Sequence, residues 1–203
     1  IHACEAGKDV YVEKPLAHNI VECKAMVKAK QKFNRVVQVG TQQRSSQNFV
    51  DAIDYVRDGK LGEITMNRAW LVKNGGGIGN QQTQDPPPEL DYDFWLGPAP
   101  KVPYQPNRVH FNWRWFCDYG GTYTSDWGVH MIDIVLLGLN MHMPTKISAQ
   151  GGKFILTDDR DTPDTLTGVC QFDDYLLTWE FRYGNSHPLD NGGGHGSEFM
   201  GKK

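Results

Sequence analysis

Two short apolar runs with one helical stretch between them constrain the fold of this chain more than any other feature. Asp9-Val10-Tyr11-Val12 reads as a short buried strand, and Val36-Val37-Gln38-Val39-Gly40 reads as a second. Between them, Asn19 to Lys32 has helical spacing, with Ile20, Cys23 and Val27 on one face and Asn19 as the N-cap. Strand, helix and strand with such short links make a βαβ unit, and its sheet is parallel. In open sheets of that kind, ligands bind beyond the carboxyl ends of the strands. The first strand runs there into Glu13-Lys14-Pro15, and the second into a polar stretch that contains Arg44.

Lys14 has two readings. A lysine after a strand is usually a solvated surface group. It can also donate to a substrate oxygen in a partly dry crevice, and Pro15 fixes the backbone directly after it. The ends of the sequence carry a reading too. Ile1 to Gly7 looks like the last turns of a helix, with Gly7 as the left-handed residue past its end. Gly196 to Lys203 looks like a strand cut short, so the 203 residues read as an internal piece of a longer protein.

Beyond the βαβ unit, Phe49 to Asp58 is a helix stopped by Gly59, and Gly62 to Leu71 is a longer strand with Ile64, Met66, Arg68 and Trp70 alternating along it. Residues 73 to 108 break regular structure with Asn74-Gly75-Gly76-Gly77 and Pro86-Pro87-Pro88. Only Asp91 to Leu96 suits a short helix there. A connection this long is usually functional or disordered, and Phe94, Trp95 and Tyr104 argue for a packed excursion. Three strands follow at Lys146 to Lys153, Leu166 to Phe172 and Tyr175 to Tyr183, the last two joined as a hairpin by Asp173-Asp174. Gly192-Gly193-Gly194 reads as a flexible loop. The fold class is therefore α/β plus α+β: a parallel βαβ remnant over residues 1–45, then an α+β domain over 46–203 with an open, mainly antiparallel sheet.

Composition excludes several classes. Lys plus Arg number 21 against 24 Asp plus Glu, a formal net charge of −3, so there is no electrostatic reason to expect nucleic acid. No apolar run approaches the roughly 18 residues of a membrane span. Cys4, Cys23, Cys117 and Cys170 are widely spaced with no Cys-x-x-Cys, which suits buried free thiols better than a disulfide framework or a zinc site. Neither triple glycine is followed by the Lys-Ser/Thr of a phosphate loop.

The second informative stretch is Ser125-Asp126-Trp127-Gly128-Val129-His130-Met131-Ile132-Asp133. On a helix running from Ser125 to about Leu139, Asp126 and His130 stand four residues apart on one face, with Asp133 near them. Ser125 is the expected N-cap, placing Asp126 in the positive first turn, while Ile132, Val135, Leu136 and Leu139 pack inward. A carboxylate beside a histidine stabilises imidazolium and fixes the tautomer, which is what a general base on a hydroxyl requires. A structural histidine satisfied by its helical neighbours fits the same spacing. Asp126, His130 and His110 could in principle share a metal, but spacing determines no third ligand, and none is expected. The aromatic run Phe111-Asn112-Trp113-Arg114-Trp115-Phe116 suits either core packing or stacking on a sugar ring, with Arg and Asn binding hydroxyls. Trp113, Arg114, Trp115 and Arg44 are the candidate substrate contacts.

Together these pieces resemble the Gfo/Idh/MocA oxidoreductase family. The residues that carry the resemblance are the strand running into Glu13-Lys14-Pro15, the strand Val36 to Gly40 followed by Gln42, Gln43 and Arg44, and Asp126-Trp127-Gly128-Val129-His130 with Asp133. Tyr92 to Pro98 and Arg108 to Trp115 are similar to the long aromatic insertion of sugar-active bacterial members. The resemblance implies a Rossmann-type dinucleotide-binding domain, of which residues 1–45 are the C-terminal remnant, and a substrate domain over 46–203 that is truncated at its C-terminus. It implies NAD or NADP as cofactor, with Glu13, Lys14 and Pro15 shaping the nicotinamide pocket. Lys14, Asp126 and His130 become the catalytic group, with His130 accepting the proton. The implied activity is hydride transfer between a secondary alcohol of a sugar or polyol and the nicotinamide. An NAD-dependent glycosidase of the same family type, or a non-catalytic sugar-binding module, would use nearly the same residues. The implied assembly is a homo-oligomer through the open sheet, and the implied compartment is the cytoplasm, or the periplasm if a leader precedes Ile1. The family's Gly-rich first βα turn is absent from these residues.

Overall fold

The computed structural model describes residues 1–140, 143–187, 189 and 193–203. The chain forms two units, Ile1–Asp51 and Ala52–Lys203. The first holds α1 (His2–Glu5), β1 (Val10–Glu13), α2 (Ile20–Lys32), β2 (Val37–Gly40), a 3-10 turn over Gln42–Ser45 and the start of α3 (Gln47–Arg57). β1 and β2 pair in parallel, in register from Val10 opposite Val37 to Glu13 opposite Gly40. Gly7 takes φ 72° and closes α1, where its N–H reaches Cys4 O and the Lys8 N–H reaches Ala3 O. Asn19 caps α2 by accepting from the Glu22 N–H, and the Glu22 carboxylate reaches back to the His18 N–H.

Two expectations fail in this unit. β1 begins at Val10 and is only half-buried, with alternate residues facing out. A two-stranded pair leaves each strand one uncovered side among the described residues. On α2 the predicted inward face is not inward: Ile20 is 72% and Val27 52% exposed, and Ala29 is the one buried residue of the helix.

The second unit is built on a five-stranded sheet in the order β4-β5-β6-β3-β7. Its strands are β3 (Ile64–Lys73), β4 (Lys146–Gly152), β5 (Thr165–Gln171), β6 (Leu176–Tyr183) and β7 (His195–Gly201), and its helices are α4 (Tyr92–Leu96) and α5 (Val129–Gly138). β3 pairs parallel to β6, and the other three pairings are antiparallel. The two-residue turn Asp173-Asp174 closes the predicted hairpin, with the Phe172 N–H on Tyr175 O. Of the expected loop 192–194, Gly192 lies outside the described residues.

Strand alternation gives the sheet one apolar face. On β6, Leu177, Trp179, Phe181 and Tyr183 are buried while Thr178, Glu180 and Arg182 between them are not. α5 covers that face, and Ser197 on β7 donates to Met131 O of the helix at 2.8 Å. The opposite face is polar: Arg68 pairs with Glu198 at 3.6 Å, and Arg182 with Glu180.

The excursion between β3 and α5 is packed rather than loose. Tyr92, Trp95, Tyr104 and Tyr119 form an aromatic nest, with ring centroids 4.8 to 5.8 Å apart. Phe94, predicted to join it, is exposed instead. An acidic segment after β4 pins the rest. Asp158 accepts from the Ile78 N–H, Asp159 from the Gln81 N–H and Asn107 Nδ2, and Asp161 from the Cys117 N–H. Gly75 has its own reason: a Cβ there would lie 1.9 Å from the Tyr183 ring.

Candidate functional site

In the first unit, the carboxyl end of β1 delivers Glu13, Lys14 and Pro15, and the end of β2 delivers Gly40 and then the 3-10 turn that carries Arg44. Glu13 stands opposite Gly40, and a Cβ on that glycine would lie 2.7 Å from Glu13 Oε2. The missing side chain is what lets the carboxylate lie across the strand end. The Lys14–Pro15 peptide bond is cis.

In the second unit, Asp126 and His130 lie where a π turn over Thr124–Gly128 meets α5. This corrects the predicted helix start. The chain is already helical at Thr122, so Ser125 is inside it and caps nothing. Its hydroxyl accepts from the Gly121 N–H at 2.9 Å and donates to Thr122 O. Asp126 therefore lies past the first turn of the helix. A π turn hydrogen-bonds five residues apart and shifts the angular position of everything after it. Hence the inward face carries His130, Met131, Ile134 and Val135, not the predicted Ile132, Leu136 and Leu139. Short π segments inside α-helices occur often at functional sites. Trp179 holds this one from the sheet: its Nε1 donates to Thr124 Oγ1 at 3.1 Å, and its ring lies 3.5 Å from where a Cβ on Gly128 would stand, an ordinary packing contact.

His130 is 4% exposed. Its ring meets Trp127 edge-on at 6.2 Å, and the Trp127 ring lies 4.4 Å from the ring of His195 on β7. Burial pushes the His195 pKa below the usual histidine value. Nothing in the sequence marks His195, because it reaches Trp127 through pairing of β7 with β3. Lys73 is a second residue that the pattern does not single out. It ends β3, and its Nζ donates to Tyr123 Oη at 3.3 Å.

The aromatic run splits by burial. Arg114 donates from Nε to Asp126 Oδ2 at 2.8 Å, and its guanidinium lies 4.3 Å from the Phe111 ring centroid and 4.5 Å from that of Trp113. Two candidates chosen for different reasons thus meet in an ion pair. Trp113 is partly exposed. Trp115 is 1% exposed and packs against Tyr123 and Tyr183 at 5.2 and 4.6 Å, with Arg160 over its ring. A ring so enclosed offers no face to a sugar, so Trp115 is a core residue and not a substrate contact.

Arg160 and Asp158 form a buried fork beside it, at 2.7 and 2.8 Å. Burial alone would raise the Asp158 pKa, but hydrogen bonds from Arg160 and the Ile78 N–H outweigh it and hold the carboxyl below the usual range. Among the described residues no group of three or more His, Cys, Asp and Glu is placed to hold a metal, and no helix is long and apolar enough to cross a membrane.

Comparison with known proteins covers both units. Residues 1–41 match the family model described as the oxidoreductase family's NAD-binding Rossmann fold, and residues 66–156 match that family's C-terminal alpha/beta domain. Inositol 2-dehydrogenase of Gluconacetobacter diazotrophicus is 34% identical over 70 residues, which is 34% of this chain and 21% of that protein. The solved inositol dehydrogenase homolog in complex with NAD+ from Azotobacter vinelandii superposes with a TM-score of 0.70 at 18% identity, over 98% of this chain and 45% of its own. GenD2 from gentamicin A biosynthesis, in complex with NAD, gives 0.68 at 17%, over 99% of this chain and 47% of its own. At these identities the structural likeness shows the fold alone. The chain spans about half the length of these solved relatives.

The residues present fit one end of such a cofactor. Gly40 leaves the strand end open to the Glu13 carboxylate, and the Glu-Lys-Pro lies at the carboxyl edge where a parallel sheet receives ligands. No Gly-x-Gly-x-x-Gly turn for a pyrophosphate occurs in the 203 residues. With models of one family matching in each unit, this chain belongs to the Gfo/Idh/MocA oxidoreductases.

Proposed function

We propose that the protein is part of an NAD-dependent dehydrogenase acting on a secondary alcohol of a cyclic polyol or sugar. The observation that carries this reading is the placement of Asp126 and the buried His130 at a π turn, inside the segment that matches the family's C-terminal domain. The names of the relatives, inositol dehydrogenases among them, supply the substrate class. A bound nicotinamide supplies the hydride acceptor. The chain's own residues handle the proton and the charge. His130, itself buried, takes the hydroxyl proton. The Asp126 carboxylate, anchored by Arg114, stabilises the positive charge that the imidazole gains. Lys14 donates to the substrate oxygen and lowers the cost of its alkoxide character. Trp113, the partly exposed ring of the aromatic run, is the proposed stacking surface, and Arg44 a further hydroxyl donor. The polar face of the second unit's sheet, with its Arg68–Glu198 and Arg182–Glu180 pairs, is the proposed contact between copies.

The full-length gene product, mixed with NAD and a panel of inositols and aldoses, should reduce NAD with at least one of them. A deuterium at the reacting carbon should slow single-turnover reduction. Consumption of a sugar with no net change in NAD would reject the dehydrogenase reading.

A further inference from the structure

We propose that Arg114 is a positioning residue for Asp126 and not a contact for the sugar; this rests on the reading of Asp126 and His130 as catalytic partners. Asp126 lies inside a π turn, and the neighbouring Ser125 is engaged with Gly121 and Thr122. Arg114 contributes to orienting the Asp126 carboxylate. Its Nε–H points at Asp126 Oδ2 at 2.8 Å, and its Nη1 donates to Phe111 O at 3.2 Å. The plane of the guanidinium is fixed by two rings, Phe111 on one contact and Trp113 on the other. Trp113 also lies close to Gly120. A Cβ on Gly120 would stand 3.1 Å from its ring and 3.2 Å from the Arg114 Cα, so the glycine is what lets the backbone come this close. Three residues, Asp126, Phe111 and Trp113, thus meet one side chain, and both partners of the ion pair are mostly buried. A guanidinium held in this way presents a rigid fork. It fixes the rotamer of the carboxylate it binds, and through that carboxylate the charge balance beside the helix that bears His130.

A double-mutant cycle in the full-length gene product loaded with NAD tests this. Arg114→Ala should lower kcat about 10- to 100-fold with KM little changed, the size of a lost charge-assisted hydrogen bond. In an Asp126→Ala background the same change should cost less than about 2-fold, because the residue it acts through is gone. Arg114→Lys keeps the charge without the fork and should fall between. Millimolar guanidinium should restore part of the kcat of Arg114→Ala. Independently of turnover, the Arg114 Nε–H resonance should be protected from exchange in the wild type and lose that protection in Asp126→Ala. A loss confined to KM, or equal losses in both backgrounds, overturns the positioning role and returns Arg114 to the sugar. If Arg114→Ala does not fold, the same cycle with Arg114→Lys decides between these outcomes. Unchanged turnover in Asp126→Ala overturns this proposal and the assignment of the site together, and so distinguishes the two failures.

Discussion

Asp164 gives the sharpest stability prediction. It is fully buried, at 0% exposure, just ahead of β5. Its carboxylate accepts the backbone N–H groups of Phe154, Ile155 and Leu156 at 3.0, 2.9 and 2.9 Å, and the Thr165 hydroxyl at 2.9 Å. Its own N–H and C=O tie Gly152 to Tyr183. Asp164→Ala leaves three N–H groups without this acceptor. Phe154 and Ile155 are largely exposed, so water replaces part of what is lost. Counting each freed N–H at about 1–1.5 kcal/mol, the variant should lose about 3–5 kcal/mol. At this chain length that is a melting shift of about 10 °C. Urea unfolding followed by tryptophan fluorescence measures it, and a loss under about 1 kcal/mol would refute the reasoning. The pH dependence carries a sign. Burial by itself would raise the Asp164 pKa, but the N–H groups of Leu156, Ile155 and Phe154 and the Thr165 hydroxyl outweigh it, so the folded value lies below the usual one. A depressed carboxyl contributes stability that is present above the unfolded value of about 3.9 and lost as pH falls through the folded value. The gap between wild type and Asp164→Ala should therefore be full at neutral pH and narrow below about pH 4.

Three further outcomes follow from the packing. Trp115→Ala removes a core ring and should cost about 3–5 kcal/mol in the same unfolding assay, where a true sugar contact would cost little stability. Gly75→Ala forces a methyl into the Tyr183 ring and should expose the 74–81 segment to limited proteolysis, a change that additional truncation of Tyr183 to Ala should partly reverse. Arg160→Ala strands the Asp158 charge and should cost about 3–5 kcal/mol, whereas Arg160→Met with Asp158→Leu should recover much of it.

The sequence made legible what depends on local period and turn chemistry. Short links around α2 required a parallel pair, Gly7 and Asn19 sit at the ends of α1 and α2 where capping rules put them, and Asp173-Asp174 turns the hairpin. What depends on long-range contact was not legible. The π turn cannot be read from a 3.6-residue period, and it moved the inward face of α5 by enough to bury Met131 and Ile134 in place of Ile132 and Leu136. Trp113 and Trp115 are two residues apart and look alike in sequence, yet Thr162 and Arg160, more than 40 residues away, enclose only the second. The Asp158 to Asp164 segment carries no motif in the sequence. Its carboxylates hold the N–H groups of three separate stretches of chain, a role with no pattern of its own.

The central claim is that His130 and Lys14 carry the chemistry of an NAD-dependent alcohol oxidation. The most direct measurement is the single-turnover rate of NAD reduction by the full-length gene product on its best polyol, in the wild type and in His130→Ala and Lys14→Ala. The account predicts losses of about 10²-fold or more in each variant, with folding intact. Near-wild-type reduction in either would contradict it.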